Sequence, residues 1–223
     1  MNNLTTFYRS RLPHFTPIGG TFFVTFRLQN ALPLAMMQAL KFDYLSTVRS
    51  LREGQYSPAR RKRLIAKARY DYFRTYDGRL DESFGDGCIL RDPTACELLA
   101  TRLHHFDDKL YDLKAYCIMP NHVHLLISLL RQTVDEQSFV LNSTELQSSY
   151  QPLHEVMRLI KGGSSYEINQ YLGRRGTLWQ ADSYDHFVRN AKAYDNILHY
   201  ILYNPEKAGL VDCWRDYPFT YYS

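Results

Sequence analysis

No run of eighteen apolar residues occurs in the sequence, so no segment reads as a membrane-spanning helix. The opening MNNLTTFYRSRLPHF lacks the apolar stretch of a secretory signal, and a cytoplasmic location is expected. Cysteine is sparse and scattered. Cys88, Cys96, Cys117 and Cys213 contain no C-x-x-C pair, which argues against a disulfide framework or a structural zinc site and for reduced thiols. Internal repeats and low-complexity tracts are missing as well. Neither sign of charge dominates: 27 Lys and Arg stand against 23 Asp and Glu, a net charge of +4. What remains is a chain of 223 residues, 45% hydrophobic and 22% charged, which is the composition of one globular domain with room for an insertion.

The charge is unevenly placed. Arg60, Arg61, Lys62, Arg63, Lys67, Arg69 and Arg74 face a single acid, Asp71, with Tyr70, Tyr72, Phe73 and Tyr76 among them. Cations interleaved with rings suit a phosphate backbone whose bases stack. The same run also reads as a solvated helix face with rings turned to a core.

The elements follow from periodicity and punctuation. GGTFFVTFRL, residues 19–28, is a strand behind a glycine pair. Pro33 opens a helix that closes near Gly54; Ser57 and Pro58 start a second, running to about Tyr76 and ended by Asp77-Gly78. Asp92-Pro93-Thr94 begins a third helix, to about Phe106. Strands at about 109–119 and 122–130 are separated only by Pro120-Asn121 and should pair as a hairpin. Residues 131–150 are loop-like, and 152–172 helical with a weak point at Gly162-Gly163. A strand-like stretch covers 177–190, and the final amphipathic helix is expected to stop at Pro205. This order gives an α+β fold, an antiparallel sheet with helices packed on it.

Chemistry concentrates at Pro120-Asn121-His122-Val123-His124. Side chains two apart on a strand share a face, so both imidazoles project together and can grip one divalent cation. Two hydrogen-bonded polar residues on a sheet would leave the same trace. A third ligand and a reacting group are available in HYILYNPEKAGLV, where Tyr200 and Asn204, four apart, lie on one helical face. A phenol is a weak nucleophile at neutral pH, and a cation that polarises a phosphate and favours phenolate corrects this. Tyr200 as a core-edge ring and Asn204 as a helix C-cap are the plainer readings.

Taken in order, RSRLPHFTPIGGTFFVTFRL, PNHVHLLISL, WQADSYDHFVRN and HYILYNPEKAGLV resemble the single-tyrosine HUH transposases, and most closely their REP-associated tyrosine transposase branch. The likeness spans the first strand and about residues 109–218. The helical stretch of about 34–90 falls outside it and reads as an insertion into a single domain of residues 1–223.

The resemblance implies a ferredoxin-like core with the histidine pair on a central strand. It implies Mg²⁺ or Mn²⁺ held by His122, His124 and Asn204, and attack by Tyr200 on a phosphate of single-stranded DNA, giving a 5′-phosphotyrosine link and a free 3′-hydroxyl. It further implies hairpin substrates of the repeated-extragenic-palindrome type with a short guide sequence, no membrane, a monomer or homodimer, and a nucleoid-associated place in a bacterial cytoplasm. Tyr194 and Tyr203 are the competing nucleophiles. Asp185-His186 matches the family's D-H element. Candidates for DNA contact are Arg11, Arg158, Lys161, His186, Arg189, Arg61 and Arg63, and Gly162-Gly163-Ser164-Ser165 is a possible phosphate approach. A domesticated module that binds hairpins without cutting is the alternative. An H-x-H metallohydrolase is not favoured, because that barrel needs about 250 residues and further ligands.

Overall fold

Residues 22–24 and 125–127 are uninterrupted apolar runs instead of alternating ones, as in strands buried on both faces. The computed structural model describes residues 5–9, 13–83, 88–134 and 149–223. In chain order its elements are β1 (Thr5–Arg9), β2 (Pro13–Pro17), β3 (Thr21–Arg27), α1 (Leu34–Glu53), α2 (Pro58–Asp81), α3 (Pro93–His105), β4 (Asp112–Ile118), β5 (His122–Ser128), α4 (Leu153–Tyr171), β6 (Tyr184–Phe187), α5 (Ala191–Lys207) and β7 (Thr220–Tyr222). They divide into two compact units, Asn30–Cys88 and the rest of the chain.

In the larger unit β1 and β2 form a two-stranded ribbon, and the main sheet runs β6-β3-β5-β4-β7, antiparallel at every pairing. Stripped of β7, the sequence β3-α3-β4-β5-α4-β6 with this strand order is the ferredoxin-like arrangement. The fold is therefore α+β, as the element order indicated. Helices α3 and α4 pack against each other on one face, where His104 of α3 meets the Tyr116 ring of β4. Helix α5 packs against β4 and β5 on the other face. Every residue of β5 is buried between these layers, which is why its sequence does not alternate.

The smaller unit is a helical hairpin. Ser57 caps α2 by accepting from Arg60 N–H, with Pro58 at the first helical position. Tyr44 and Tyr72 meet across the hairpin with ring centroids 5.0 Å apart.

Several boundaries differ from the sequence reading. Helix α2 continues past Asp77-Gly78 to Asp81, because Phe73, Asp77 and Leu80 keep a buried stripe at helical spacing, which offsets the roughly 1 kcal/mol cost of a helical glycine. Helix α5 runs through Pro205 to Lys207. Pro205 forfeits one intrahelical bond, and the true stop is Gly209 at φ +68°, with Leu210 N–H donating to Pro205 O and Gly209 N–H to Glu206 O. Only Tyr184–Phe187 of the 177–190 stretch is strand. Gly162-Gly163 does not interrupt α4: a Cβ on Gly163 would lie 2.5 Å from Arg102 Cζ, so the missing side chain makes room for the arginine of α3. This overturns the phosphate-approach reading, since the backbone there is inside a helix and Ser164 Oγ donates to Ile160 O. The ribbon β1–β2 and strand β7 were not anticipated.

Candidate active site

The histidine pair opens β5 straight after the Pro120-Asn121 turn, which Met119 N–H closes onto His122 O at 2.8 Å. Asn121 O accepts from Leu28 N–H at 2.9 Å, tying the turn to the end of β3. His122 and His124 face the α5 side of the sheet and are fully buried. Asn121 Oδ1 accepts from His122 Nδ1–H at 2.7 Å, so the lone pair of that ring is on Nε2. His124 Nδ1 is 2.9 Å from Thr25 Oγ1, its cross-strand partner on β3. The two Nε2 atoms then converge to 3.0 Å.

Asn204 reaches the same point from α5. Its Nδ2 is 3.1 Å from His124 Nε2, while its Oδ1, also buried, has no hydrogen-bond partner among the described residues. An orphaned amide oxygen beside two converging imidazole nitrogens is a donor set that suits a divalent cation. Burial, followed by the charge of Lys207, pushes the His122 imidazole down to about 3. Burial, then His122, then Lys207 hold His124 well below its ordinary value. Both rings are therefore neutral at physiological pH and accept a metal without first shedding a proton.

Tyr200 stands one turn before Asn204 with its ring against His124, at 5.3 Å between centroids and 70° between planes. Phe23 of β3 meets the same tyrosine edge-on at 6.0 Å and stacks on His124 at 5.7 Å, wedging tyrosine and histidine into fixed relation. Lys207 Nζ lies 5.6 Å from the Tyr200 ring centroid. The rival tyrosines do not share this contact. Tyr203 stacks on His199 at 4.0 Å and 11°, and is 37% exposed. Tyr194 is about 9 Å further back along the helix axis, and burial followed by Asp195 raises its phenol.

The remaining candidates scatter. His186 sits on β6 opposite Phe23, on the face that carries the histidine pair, with Asp185 on the other face. Arg158 and Lys161 belong to α4, across the sheet. Arg158 is exposed and bonds Glu155 at 2.6 Å. Lys161 borders a cavity of about 540 Å³ on that face and donates to Gln180 O, Ala181 O and Ser183 Oγ. Burial, only partly countered by Asp182, lowers its ammonium to about 8. Arg189 is exposed just before α5. In the helical hairpin, Arg61 donates to Gly54 O at 3.1 Å and stitches the turn, whereas Arg63 is exposed. Arg11 lies outside the described residues. Thr25, Phe23 and Lys207 had been overlooked. Lys207 was detectable, being seven residues from Tyr200 and three from Asn204, hence on their helical face; Thr25 and Phe23 depend on strand register, which the sequence does not reveal.

No protein-family model matches the chain. A Haemophilus influenzae protein named "Putative REP-associated tyrosine transposase" is 28% identical over 110 residues, 49% of this chain and 58% of the relative. A second Haemophilus influenzae protein, named only as uncharacterized, is 28% identical over 97 residues, 40% of this chain and 52% of its own. The chain thus spans little more than half the length of the curated relatives it matches. A solved structure of a REP-associated tyrosine transposase bound to a REP hairpin aligns with TM-score 0.45 and 20% identity, covering 95% of this chain and 82% of that one. Over about half of its length the chain is thus similar to a protein named as a putative REP-associated tyrosine transposase, in line with the resemblance read from its motifs.

Proposed function

We propose that the protein is a metal-dependent endonuclease and strand transferase that cuts single-stranded DNA beside hairpins through a covalent bond to Tyr200. The observation that carries this reading is the packing of the Tyr200 ring on His124, one helical turn from Asn204, whose amide meets the same imidazole nitrogen. His122, His124 and Asn204 would hold Mg²⁺ or Mn²⁺. When bound, such an ion withdraws charge from phosphate oxygens as it accumulates in the transition state.

The chain's own residues do the rest. Phe23 and His124 limit the swing of the Tyr200 ring, so the phenol is held for in-line attack instead of searching for it. Tyr200 Oη bonds to the scissile phosphorus as the bond to the 3′-oxygen breaks. The phenol loses its proton, the departing 3′-oxygen gains one, and the DNA is left joined through a 5′-phosphotyrosine. Attack by a 3′-hydroxyl on that ester reverses the exchange and rejoins strands without a nucleotide cofactor, because the phosphoester is conserved throughout.

The test uses end-labelled single-stranded hairpins from the repeats flanking the gene, incubated with Mn²⁺ and either wild type or Tyr200→Phe. Wild type is expected to yield a protein-sized band carrying the label 3′ of the cut, stable to denaturation. Tyr200→Phe should shift the hairpin on a native gel with wild-type affinity and form no adduct. An adduct that survives in Tyr200→Phe moves the nucleophile elsewhere; binding with no adduct in either protein assigns a hairpin-binding module instead.

A further inference from the structure

The outward side of α5 changes character at the level of Tyr200. In the turns before it the exposed residues are Lys192, Asp195 and Asn196; beside it they are His199 and Tyr203. Those two rings lie in the open, parallel to within 11° and 4.0 Å apart. Tyr203 leans on Trp214 at 6.0 Å, and Trp214 meets Tyr222 of the edge strand β7 at 5.8 Å. Arg215 is exposed with its guanidinium 4.6 Å from the centre of the Trp214 ring. Four rings from α5, the short helical turn Trp214–Asp216 and β7 thus make one ladder. A ring pair four residues apart needs no such support if it only steadies a helix. Trp214 is buried, and its Nε1–H has no hydrogen-bond partner among the described residues. A side chain there only to fill space would do better without an unsatisfied donor. What the indole supplies is breadth, propping Tyr203 and Tyr222, which stay 37% and 54% exposed.

We infer that His199 and Tyr203, propped by Trp214, form a stacking platform for unpaired bases of the DNA strand next to the phosphate that Tyr200 attacks. Tyr222 extends the platform to the sheet edge, and Arg215 offers a cation to the passing backbone. The inference rests on the function proposed above, which brings that phosphate to Tyr200. Continuity with the proposed active site names the occupant. Residues three apart on a helix have Cβ atoms about 5–6 Å apart, so a strand that presents a phosphate to Tyr200 brings its neighbouring nucleotide to Tyr203. Every base has a face that can stack on such rings, whatever the sequence. Bases inside a duplex keep those faces covered, so the platform favours an unpaired strand. Held there, the strand cannot slide past the nucleophile, and its backbone is oriented for in-line attack.

The test measures Kd on a Tyr200→Phe background, which is expected not to cut, for a hairpin with single-stranded flanks. A single abasic site is moved through the flanking nucleotides, and each strand is bound by this parent and by derivatives carrying Tyr203→Ala or Tyr203→Phe. Tyr203→Ala is expected to weaken binding of the intact strand about tenfold. At one flanking position the abasic strand should bind weakly to the parent and no worse to Tyr203→Ala, because the stack that the substitution removes is already gone. Tyr203→Phe, which keeps the ring, should bind every strand as the parent does. A Tyr203→Ala protein that holds the intact strand as tightly as its parent overturns the inference. A loss of equal size on every abasic strand, or one that Tyr203→Phe shares, overturns it too, since the ring then stacks on no base. The Tyr200 adduct of wild type is read on the same strands. An adduct without ring-dependent binding leaves the covalent mechanism standing and removes the platform. Ring-dependent binding without an adduct overturns the proposed function and keeps the platform, as part of a binding module.

Discussion

Which nitrogen a buried histidine presents is fixed by what holds the other one, and here two neutral groups do so. Asn121 Oδ1 holds His122 by Nδ1, and Thr25 Oγ1 holds His124 the same way, turning both Nε2 atoms inward. Thr25→Val keeps the β-branched shape of the strand but strands a buried ring nitrogen, at a cost of about 1–3 kcal/mol. The imidazole is then free to change tautomer or rotate. Mn²⁺ affinity is expected to fall about 10–100-fold, with far-UV circular dichroism unchanged. Unaltered Mn²⁺ binding in a folded Thr25→Val protein would show that the threonine does not orient the ligand. The histidines themselves were legible because the period of a strand is local knowledge. Thr25 was not, because which residue lies opposite His124 is settled by pairing across 99 positions of chain.

Helix α2 shows how one basic run divides its labour. Arg61 donates to the carbonyls of Gly54 and Tyr56, and Lys67 pairs with Asp71 at 2.6 Å. Lys62 and Arg63 are exposed. If the hairpin clamps DNA, as its charge pattern indicates, Lys62→Glu/Arg63→Glu should weaken hairpin binding and flatten the plot of log K against log salt by about 1.5–2 units, two phosphates' worth of counterion release. An unchanged salt slope would assign these residues to solvation alone. The helices were the legible part of this fold, since caps such as Ser57-Pro58 and Asp92-Pro93 are written in adjacent residues. Their ends were less so. Pro205 looks like a stop, yet α5 buries Ile201, Leu202, Asn204 and Pro205 against the sheet, and that burial carries the helix on to Lys207. The short strands β6 and β7 gain their hydrogen bonds from partners far along the chain, so little in their own sequence announces them.

Across the larger unit, buried titratable groups set opposite limits on the pH range of stability. On the acid side, His122 is held near 3 when folded but titrates near 6.5 when unfolded, and His124 is displaced in the same direction. Between those values the unfolded chain binds more protons, so stability falls as pH drops from about 6.5. On the alkaline side, burial, then Asp92 and Glu97, raises Cys96 from 9.0 to about 12. Burial, then Tyr221 and Cys117, raises Tyr116 from 10.0 to about 12. Tyr111 and Tyr217 move the same way, chiefly by burial. Above about pH 9 the folded state keeps protons that the unfolded chain has lost, and stability falls again. Lys161 works against this limb: its folded value of about 8 lies below the 10.5 of the free side chain, so its contribution rises between the two. The lysine acts first, from about pH 8, so it postpones the alkaline fall until the thiol and the three phenols together outweigh it. Both tryptophans of the chain, Trp179 and Trp214, lie in this unit, so their fluorescence reports its unfolding. Urea midpoints are expected to be highest at about pH 8–9 and lower at both pH 4.5 and pH 11. Cys96→Ala should shallow only the alkaline limb and His122→Asn only the acid one. Midpoints that stay level from pH 4.5 to pH 11 would mean that these groups are as solvated in the folded chain as in the unfolded one, and the neutral, metal-ready state of the histidines would go with them.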